Sequence, residues 1–424
     1  MSVPKLRFKE FDGDWSESKL KDCIDSIDSG WSPQCESYPA DENEWAVLKT
    51  TSVDWDGFKA NFNKKLPSSL EARFEIEVKP SDILVTRAGP TERVGVVAVV
   101  PQNVRSKLMI SDKLIRLKAN SDNSPEFLGI SLSSVKCQNQ LQSKTSGLAK
   151  SQTNISQKIL SDVSLMTPAK EEQTKIASFL SAVDEKISQL TQKHALLSQY
   201  KQGMMQKLFS QQIRFKADDG SEFGEWEEKT LIDSVDTNIK WSFTGGPFGS
   251  NLKSEDYTEL GIRIIQLQNI GDGAFLNDYK IYTSPEKANE LLSCNIYPDE
   301  ILISKMGDPV ARCCIVPKHH DRYVMCSDGI RLVVDKKNYS SIFMFYQINY
   351  QDFRQSASDV STGSTRKRIG LSDLKQLPIK APCLEEQTKI ANFLSAIDKK
   401  IEVVAQQIEQ AKHWKKGLLQ QMFV

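Results

Sequence analysis

An internal repeat of about half its length constrains this chain more than any other feature. The sequence EEQTKIASFLSAVDEKI begins at Glu171, and EEQTKIANFLSAIDKKI begins at Glu385, 214 residues later. Over the 39 residues that begin at Glu171, 19 are identical to their partners 214 residues further on. Fainter matches pair RFK at Arg7 with RFK at Arg214, and PSDILVTRAG from Pro80 with PDEILISKMG from Pro298. The chain therefore contains two copies of one unit, each a variable segment followed by a nearly constant one.

The constant segments have the periodicity of long helices. Apolar residues recur at alternating steps of four and three, which is typical of a coiled-coil seam. The seams begin with Ile176, Leu180, Val183, Ile187 and Leu190 in the first copy, and with Ile390, Leu394, Ile397, Ile401 and Val404 in the second. Two such helices in one chain pack most simply antiparallel, because the chain must return.

One polar residue interrupts both seams at the same place. Lys201 and Lys415 occupy matching positions of the two copies. Either each lysine extends its ammonium group to solvent near a helix end, or it belongs to a polar pair that sets the register of the helices.

The variable segments have mixed α/β patterns. Short β-branched runs bounded by Pro and Gly, such as 83–85 and 301–303, predict strands, and 343–348 predicts a helix packed on them. The fold class is thus two α/β (α+β) domains joined by two long antiparallel coiled-coil helices, related by a pseudo-two-fold repeat. The predicted boundaries are 1–167 and 212–381 for the variable domains, and 168–211 and 382–424 for the helices.

Charge is locally uneven although the whole chain is neutral, with 55 basic and 55 acidic residues. Residues 86–118 carry seven basic and two acidic side chains, and 354–380 carry six and two. Hydroxyl and amide side chains lie nearby, a mixture that suits phosphate oxygens and base edges, although ordinary solvated charge clusters would look the same. The candidates for DNA contact are Arg87, Arg93, Lys144, Lys150, Gln152, Asn154, Lys305, Arg312, Thr365, Arg366, Lys367 and Arg368.

Catalytic and metal-binding motifs do not emerge from the sequence. The glycine-rich stretch 245–250 lacks the Gly-Lys-Ser/Thr of a phosphate loop. Cys313, Cys314 and Cys326 with the neighbouring histidines match no zinc spacing, so we expect these cysteines to be buried. Eight cysteines without a C-x-x-C pair, no apolar run of membrane length and no signal core predict a cytoplasmic protein with reduced thiols.

With its two variable segments and two P-x-x-E-E-Q helices, the chain resembles the specificity subunits of type I restriction-modification systems. The motifs that carry the resemblance are the two EEQTKIA helices, the Trp15 and Trp226 openings, the Ile-Leu strands and the sequence Gly363-Ser364-Thr365, with Ser146-Gly147 as a looser match. The resemblance covers the whole chain. It implies that each variable domain is a target-recognition domain that reads one half of an asymmetric bipartite site on double-stranded DNA.

The resemblance also implies partners and a division of labour. The helices would bind two modification subunits, which carry S-adenosylmethionine and methylate adenine, and restriction subunits that use ATP and Mg²⁺ would join them. This chain would itself be non-catalytic and hold no cofactor or metal. The helix residues expected to serve as spacer and partner-binding positions are Glu172, Gln173, Ile176, Phe179, Leu180, Glu386, Gln387, Ile390, Phe393 and Leu394.

Two other classes of function remain open at this stage. A coiled-coil interaction scaffold whose variable domains bind proteins or glycans would explain the helices, but not two basic, hydroxyl-rich domains. A metal-dependent nuclease would need a metal site for which the sequence offers no ligand pattern.

Overall fold

The structure is a computed structural model that describes residues 4–149, 152–363 and 366–423. The chain forms two compact units. The first contains Met1–Gln192 and Ala405–Val424, and the second contains Lys193–Val404. Each long helix therefore contributes one part to each unit.

The first variable segment contains fourteen short strands and three short helices in its described part, and it ends in the first long helix. The strands are β1 (Ser16–Lys19), β2 (Ile24–Ser29), β3 (Ala46–Leu48), β4 (Val53–Asp54), β5 (Gly57–Phe58), β6 (Asn63–Lys65), β7 (Ile83–Thr86), β8 (Ala88–Gly89), β9 (Val97–Val99), β10 (Leu108–Met109), β11 (Leu114–Ala119), β12 (Ser146–Ala149), β13 (Gln152–Asn154) and β14 (Ser164–Thr167). The helices are α1 (Pro125–Leu132), α2 (Val135–Gln142), α3 (Gln157–Ser161) and the long α4 (Lys170–Phe209).

The second variable segment follows the same plan and ends in the second long helix. Its strands are β15 (Glu227–Thr230), β16 (Phe243–Gly245), β17 (Tyr257–Thr258), β18 (Ile262–Ile265), β19 (Ile281–Thr283), β20 (Asn295–Ile296), β21 (Ile301–Ser304), β22 (Cys313–Ile315), β23 (Tyr323–Met325), β24 (Gly329–Leu332) and β25 (Pro378–Ala381). Its helices are α5 (Pro285–Glu290), α6 (Ser341–Asn349), α7 (Gln351–Asp359), α8 (Leu371–Lys375) and the long α9 (Leu384–Met422).

The sheets of the two units correspond strand by strand. A four-stranded sheet has the order β2-β11-β7-β9 in the first unit and β16-β24-β21-β22 in the second. A second sheet contains a parallel pair, β3 with β10 in the first unit and β18 with β23 in the second. A two-stranded antiparallel ribbon, β1 with β14 or β15 with β25, closes each domain directly before its long helix. The faint sequence repeat thus reflects one fold used twice.

Each four-stranded sheet separates two hydrophobic cores, because side chains alternate across a strand. In the first unit Ile83 and Val85 face α1 and the long helices, whereas Leu84 faces the second sheet. In the second unit Ile301 and Ile303 face the helices and Leu302 the second sheet.

The two long helices run antiparallel within each unit. In the first unit the Lys415 ammonium lies 2.6 Å from an Asp184 carboxylate oxygen, and in the second unit Lys201 lies 2.6 Å from Asp398. The pairs match, since 201 + 214 = 415 and 184 + 214 = 398. Of the two explanations for the interrupting lysines, the structure therefore supports the polar pair.

The sequence-based fold class is confirmed. The runs at 83–85 and 301–303 form β7 and β21, and 343–348 lies within α6. The helices begin at Lys170 and Leu384, two residues inside the predicted starts at 168 and 382. Among the described helices, none is both long and apolar enough to cross a membrane.

Candidate nucleic-acid interface and helix junctions

A buried ion pair joins each variable domain to its long helix. Glu172, in the first turn of α4, accepts two hydrogen bonds from the Arg7 guanidinium at 2.7 and 2.6 Å. The Trp15 indole N–H also points at this carboxylate, at 3.3 Å. Glu172 is 1% exposed, so Arg7 compensates a carboxylate that water does not reach.

The following glutamine makes the second half of this contact, which we call the helix junction. The Gln173 side-chain oxygen accepts from the Ser124 backbone N–H at 2.9 Å, and its nitrogen donates to Asn123 and to the Pro168 carbonyl. Ser124 in turn caps α1 through its hydroxyl group. Gln173 thereby fixes the start of α1 against the start of α4.

The second unit repeats the junction. Arg214 donates to the two carboxylate oxygens of Glu386 at 3.1 and 2.7 Å. The Gln387 side-chain oxygen accepts from the N–H of Ser340, the cap of α6, at 2.9 Å. The one clear difference is that the Trp226 indole N–H is buried without a hydrogen-bond partner among the described residues. The nearly constant sequence therefore encodes an intramolecular joint.

This placement corrects the picture of the helix residues as a partner-binding surface. Glu172, Gln173, Ile176, Leu180, Glu386, Gln387, Ile390 and Leu394 are buried within their own unit, and Phe179 and Phe393 are partly buried. Sequence periodicity identified the inward face of each helix correctly, but that face is occupied by the chain's own variable domain.

The outward faces carry a different matched pair. Tyr200 on α4 is 51% exposed and Trp414 on α9 is 53% exposed. They occupy corresponding positions, since 200 + 214 = 414. Two large aromatic side chains that stay in solvent on otherwise amphipathic helices are available to a partner.

Four of the candidates for DNA contact gather at one corner of each domain. Arg87 and Lys305 hold matching positions just after β7 and β21. The Arg87 backbone N–H donates to Lys113 and its carbonyl accepts from Ile155. Lys305 makes the same two bonds with Asp328 and Ile369. Asn154 and Arg368, the residues directly before Ile155 and Ile369, are thereby placed beside these cations.

The basic triplet lies along this corner of the second domain. Gly307 N–H donates to the Lys367 carbonyl at 3.0 Å, and Met306 bridges Arg368. Arg366, Lys367 and Arg368 are all exposed, although Arg368 forms an ion pair with Asp328 and Lys367 donates to Ser358. The triplet is therefore accessible and partly oriented.

Two other candidates have structural partners. The Arg93 guanidinium donates to Asp54 at 2.6 Å and to the Val53 carbonyl at 2.9 Å. Arg312 donates to the Ile270 carbonyl at 2.6 Å. Hydrogen bonds from Lys59, from the Trp55 amide and from Arg93 lower the pKa of Asp54 to about 2. These guanidinium groups hold loops in place rather than extending into solvent.

The remaining candidates are less defined. Lys144 is exposed after α2. Lys150 and Thr365 lie outside the described residues, and of Gln152 only the backbone, in β13, is described. Within the basic segment 86–118, Arg116 is 4% exposed and bound to Asp28 at 2.9 Å, so this segment presents less positive charge than its composition indicates.

A polar cleft lies on each domain. The polar residues that line the first cleft are Ser32, Lys49, Thr50, Lys64, Ser111 and Lys113. Those that line the second cleft are Gln266, Gln268, Tyr279, Asp308, Arg312 and Arg366. Cations and amides that converge on a concave surface match the groups that contact phosphates and base edges.

Sequence reasoning missed Lys49, Gln266 and Gln268. A signal existed in the alignment of LKTTSV (48–53) with IQLQNI (265–270), which continues the internal repeat at low identity. The composition-based search passed over it, because neither stretch is a charge cluster.

Metal and thiol chemistry find no support in the described residues. These contain no group of three or more His, Cys, Asp or Glu side chains arranged to hold a metal ion. Cys313, Cys314 and Cys326 are buried, as expected. Burial raises the pKa of Cys313 to about 12 and that of Cys326 to about 11.

Comparison with known proteins identifies the family. A model described as the type I restriction modification DNA specificity domain matches residues 13–199 and 268–413. These two matches cover more than half of the chain. The chain belongs to this family, and the resemblance inferred from its sequence is confirmed.

Individual relatives agree. The EcoEI specificity subunit of Escherichia coli is 42% identical over 166 residues, which are 39% of this chain and only 28% of that subunit. The MjaVIII specificity subunit of Methanocaldococcus jannaschii is 25% identical over 433 residues, 97% of this chain and 94% of that one. The crystal structure of an S subunit from M. genitalium shares the fold, with a TM-score of 0.61 at 15% identity over 100% of this chain and 99% of that one.

Proposed function

We propose that this chain supplies the sequence specificity of a type I restriction-modification complex. In this proposal, residues 1–167 and 212–381 each contact one half of an asymmetric bipartite site on double-stranded DNA. The observation that carries it is that one domain frame occurs twice, with the same helix junction and the same cleft but with different side chains in the clefts. A frame that is repeated while its contact residues differ suits two unlike half-sites.

The basic triplet provides a first test. Replacing Arg366, Lys367 and Arg368 by alanine removes up to three phosphate contacts, and each such contact contributes about 0.9 to the slope of log K against log salt. We expect DNA affinity of the assembled complex to fall about tenfold or more at moderate salt, and the salt dependence to flatten by about one to three. Fluorescence anisotropy over a salt series measures both.

A matched control removes charge elsewhere in the same domain. Lys336 and Lys337 are exposed and line neither cleft, so their double alanine variant should bind DNA like the unaltered chain. Equal affinity and salt slope for the triplet variant and this control would contradict DNA contact by the triplet.

We further propose that the outward helix faces dock two modification subunits, with Tyr200 and Trp414 as anchors. Buried aromatic anchors typically contribute about 2 kcal/mol or more to an interface. Tyr200→Ala and Trp414→Ala should each remove one modification subunit, and the double variant should remove both, as measured by light scattering of the purified complex. Lys186→Ala with Lys400→Ala, at two other matched exposed positions, is the control. A double aromatic variant that retains both subunits would contradict the assignment.

The chemistry belongs, in this proposal, to the partners. The modification subunits would carry S-adenosylmethionine and methylate adenine, and restriction subunits would use ATP and Mg²⁺, all in the cytoplasm where the DNA is. Transfer of a labelled methyl group to DNA should require the modification subunits. Transfer by the purified chain alone would contradict this division.

A further inference from the structure

Each variable domain contains a short 3₁₀ turn at the same place in its second sheet. The turns span Thr50–Ser52, after β3, and Leu267–Asn269, after β18. Both preceding strands belong to the parallel pairs of their sheets. We call these two segments the presenting turns.

A buried polar residue fixes each presenting turn. In the first domain Ser52, 0% exposed, donates to the Lys49 carbonyl through its N–H at 3.0 Å and its hydroxyl at 2.7 Å. In the second domain Asn269, also 0% exposed, donates its N–H to the Gln266 carbonyl at 2.8 Å and accepts from the Gln266 N–H at 2.9 Å. The next residue is held as well, because Arg93 binds the Val53 carbonyl and Arg312 the Ile270 carbonyl.

The two turns present different side chains from this common frame. Lys49 is half-buried and Thr51 exposed in the first domain, and Gln266 is half-buried and Gln268 exposed in the second. Gln266 and Gln268 line the second cleft and Lys49 the first. The Gln266 side-chain nitrogen also lies 3.3 Å from the Tyr257 hydroxyl group, which orients the amide.

We propose that the presenting turns are the base-reading elements of this chain, with Gln266 and Gln268 reading the second half-site and Lys49 and Thr51 the first. This inference rests on the proposed function and assigns its specificity to four residues. A glutamine amide pairs with the N6 and N7 edge of adenine, a lysine with O6 and N7 of guanine, and a threonine methyl with the methyl group of thymine. A rigid backbone lets such side chains discriminate, since less flexibility is lost on binding.

The test transplants one turn into the other. The variant Gln266→Lys with Gln268→Thr gives the second domain the side chains of the first. The variant and the unaltered full chain, each assembled with modification subunits, are compared for binding to a randomised DNA library. We expect one or two base preferences of the second half-site to change by about tenfold to a hundredfold, away from adenine. The first half-site should remain as it was.

Two further variants keep the test decisive. Gln268→Ala changes only a fully exposed side chain, so it reports on base reading even where the double variant folds poorly. Gln351→Ala alters an exposed glutamine that does not line the cleft, and its half-sites should be those of the unaltered chain.

The possible failures are distinguishable. Unchanged preferences in a folded Gln268→Ala and double variant would overturn the inference and leave the proposed function intact. An equal loss of affinity for all sequences with a flatter salt slope would assign the turn to phosphate contact and overturn base reading. A library in which the unaltered complex selects no bipartite site would overturn the proposed function itself.

Discussion

Adjacent glutamates at the start of each long helix have very different surroundings. Glu171 and Glu385 are exposed, whereas Glu172 and Glu386 are buried against Arg7 and Arg214. Both members of each pair suit the positive end of a helix dipole. Only the second member also compensates a guanidinium, and therefore only it should matter for stability.

Glu172→Ala should destabilise the chain by about 3 kcal/mol, because it leaves the Arg7 guanidinium and the Trp15 N–H without their acceptor in a largely buried site. The neighbouring Glu171→Ala changes a solvated carboxylate and should stay within about 0.5 kcal/mol. Urea unfolding followed by circular dichroism compares the two. Equal stabilities for both variants would show that the junction does not hold the domain to the helix.

Cysteine reactivity offers a second residue-scale prediction. Cys383 is exposed, whereas Cys313 and Cys314 are buried and burial raises both pKa values, that of Cys313 to about 12. Since the thiolate is the reactive form, iodoacetamide at pH 8 should label Cys383 in the native chain and reach Cys313 and Cys314 only on unfolding. Peptide mass spectrometry locates the label, and Cys383→Ser is the control. Rapid native labelling of Cys313 would contradict the buried core.

At the scale of elements, sequence and structure agree on what forms but not on what each face contacts. The heptad seam predicted both long helices, and β-branched runs predicted β7 and β21. Periodicity could not reveal that Glu172 and Gln173 face the chain's own domain, since residues kept in both copies for an internal joint look the same as residues kept for a partner. The carbonyl partners of Arg93 and Arg312 likewise depend on loop paths that no spacing encodes.

The lysine–aspartate pairs between the long helices are testable as units. Their side chains are between 24% and 53% exposed, so each pair should contribute only about 0.5 kcal/mol. Lys415→Asp would place two carboxylates together and destabilise the helix pair, and adding Asp184→Lys should recover most of the loss. A double-mutant cycle by thermal unfolding measures the coupling. No recovery in the reversed pair would mean that the two charges do not interact.

At the scale of the whole molecule, the repeat extends across the two ends of the chain. Within the first unit the Leu6 N–H donates to the Gln421 carbonyl at 3.0 Å, and within the second the Ile213 N–H donates to the Lys207 carbonyl at 3.1 Å. The two bonds match, since 6 + 207 = 213 and 207 + 214 = 421. A continuous chain makes the second bond, whereas residues near opposite ends make the first.

The chain should therefore tolerate circular permutation. Joining Val424 to Met1 by a short Gly/Ser linker and reopening the chain at Ser210 exchanges the two arrangements, and the permutant should keep its melting temperature and DNA preference. Reopening within β7, a central strand of the first unit, is the control that should fail to fold. Aggregation of the Ser210 permutant would contradict the equivalence of the two connections.

The central claim is that each variable domain specifies one half of a bipartite site, and exchange of one domain tests it most directly. Residues 1–167 are replaced by the corresponding segment of another family member, and adenine methylation is mapped across the genome of a host that expresses the chain with its modification subunits. The account predicts a bipartite motif with two unlike halves, of which only one changes after the exchange. A motif that changes in both halves, or methylation without any bipartite motif, would contradict it.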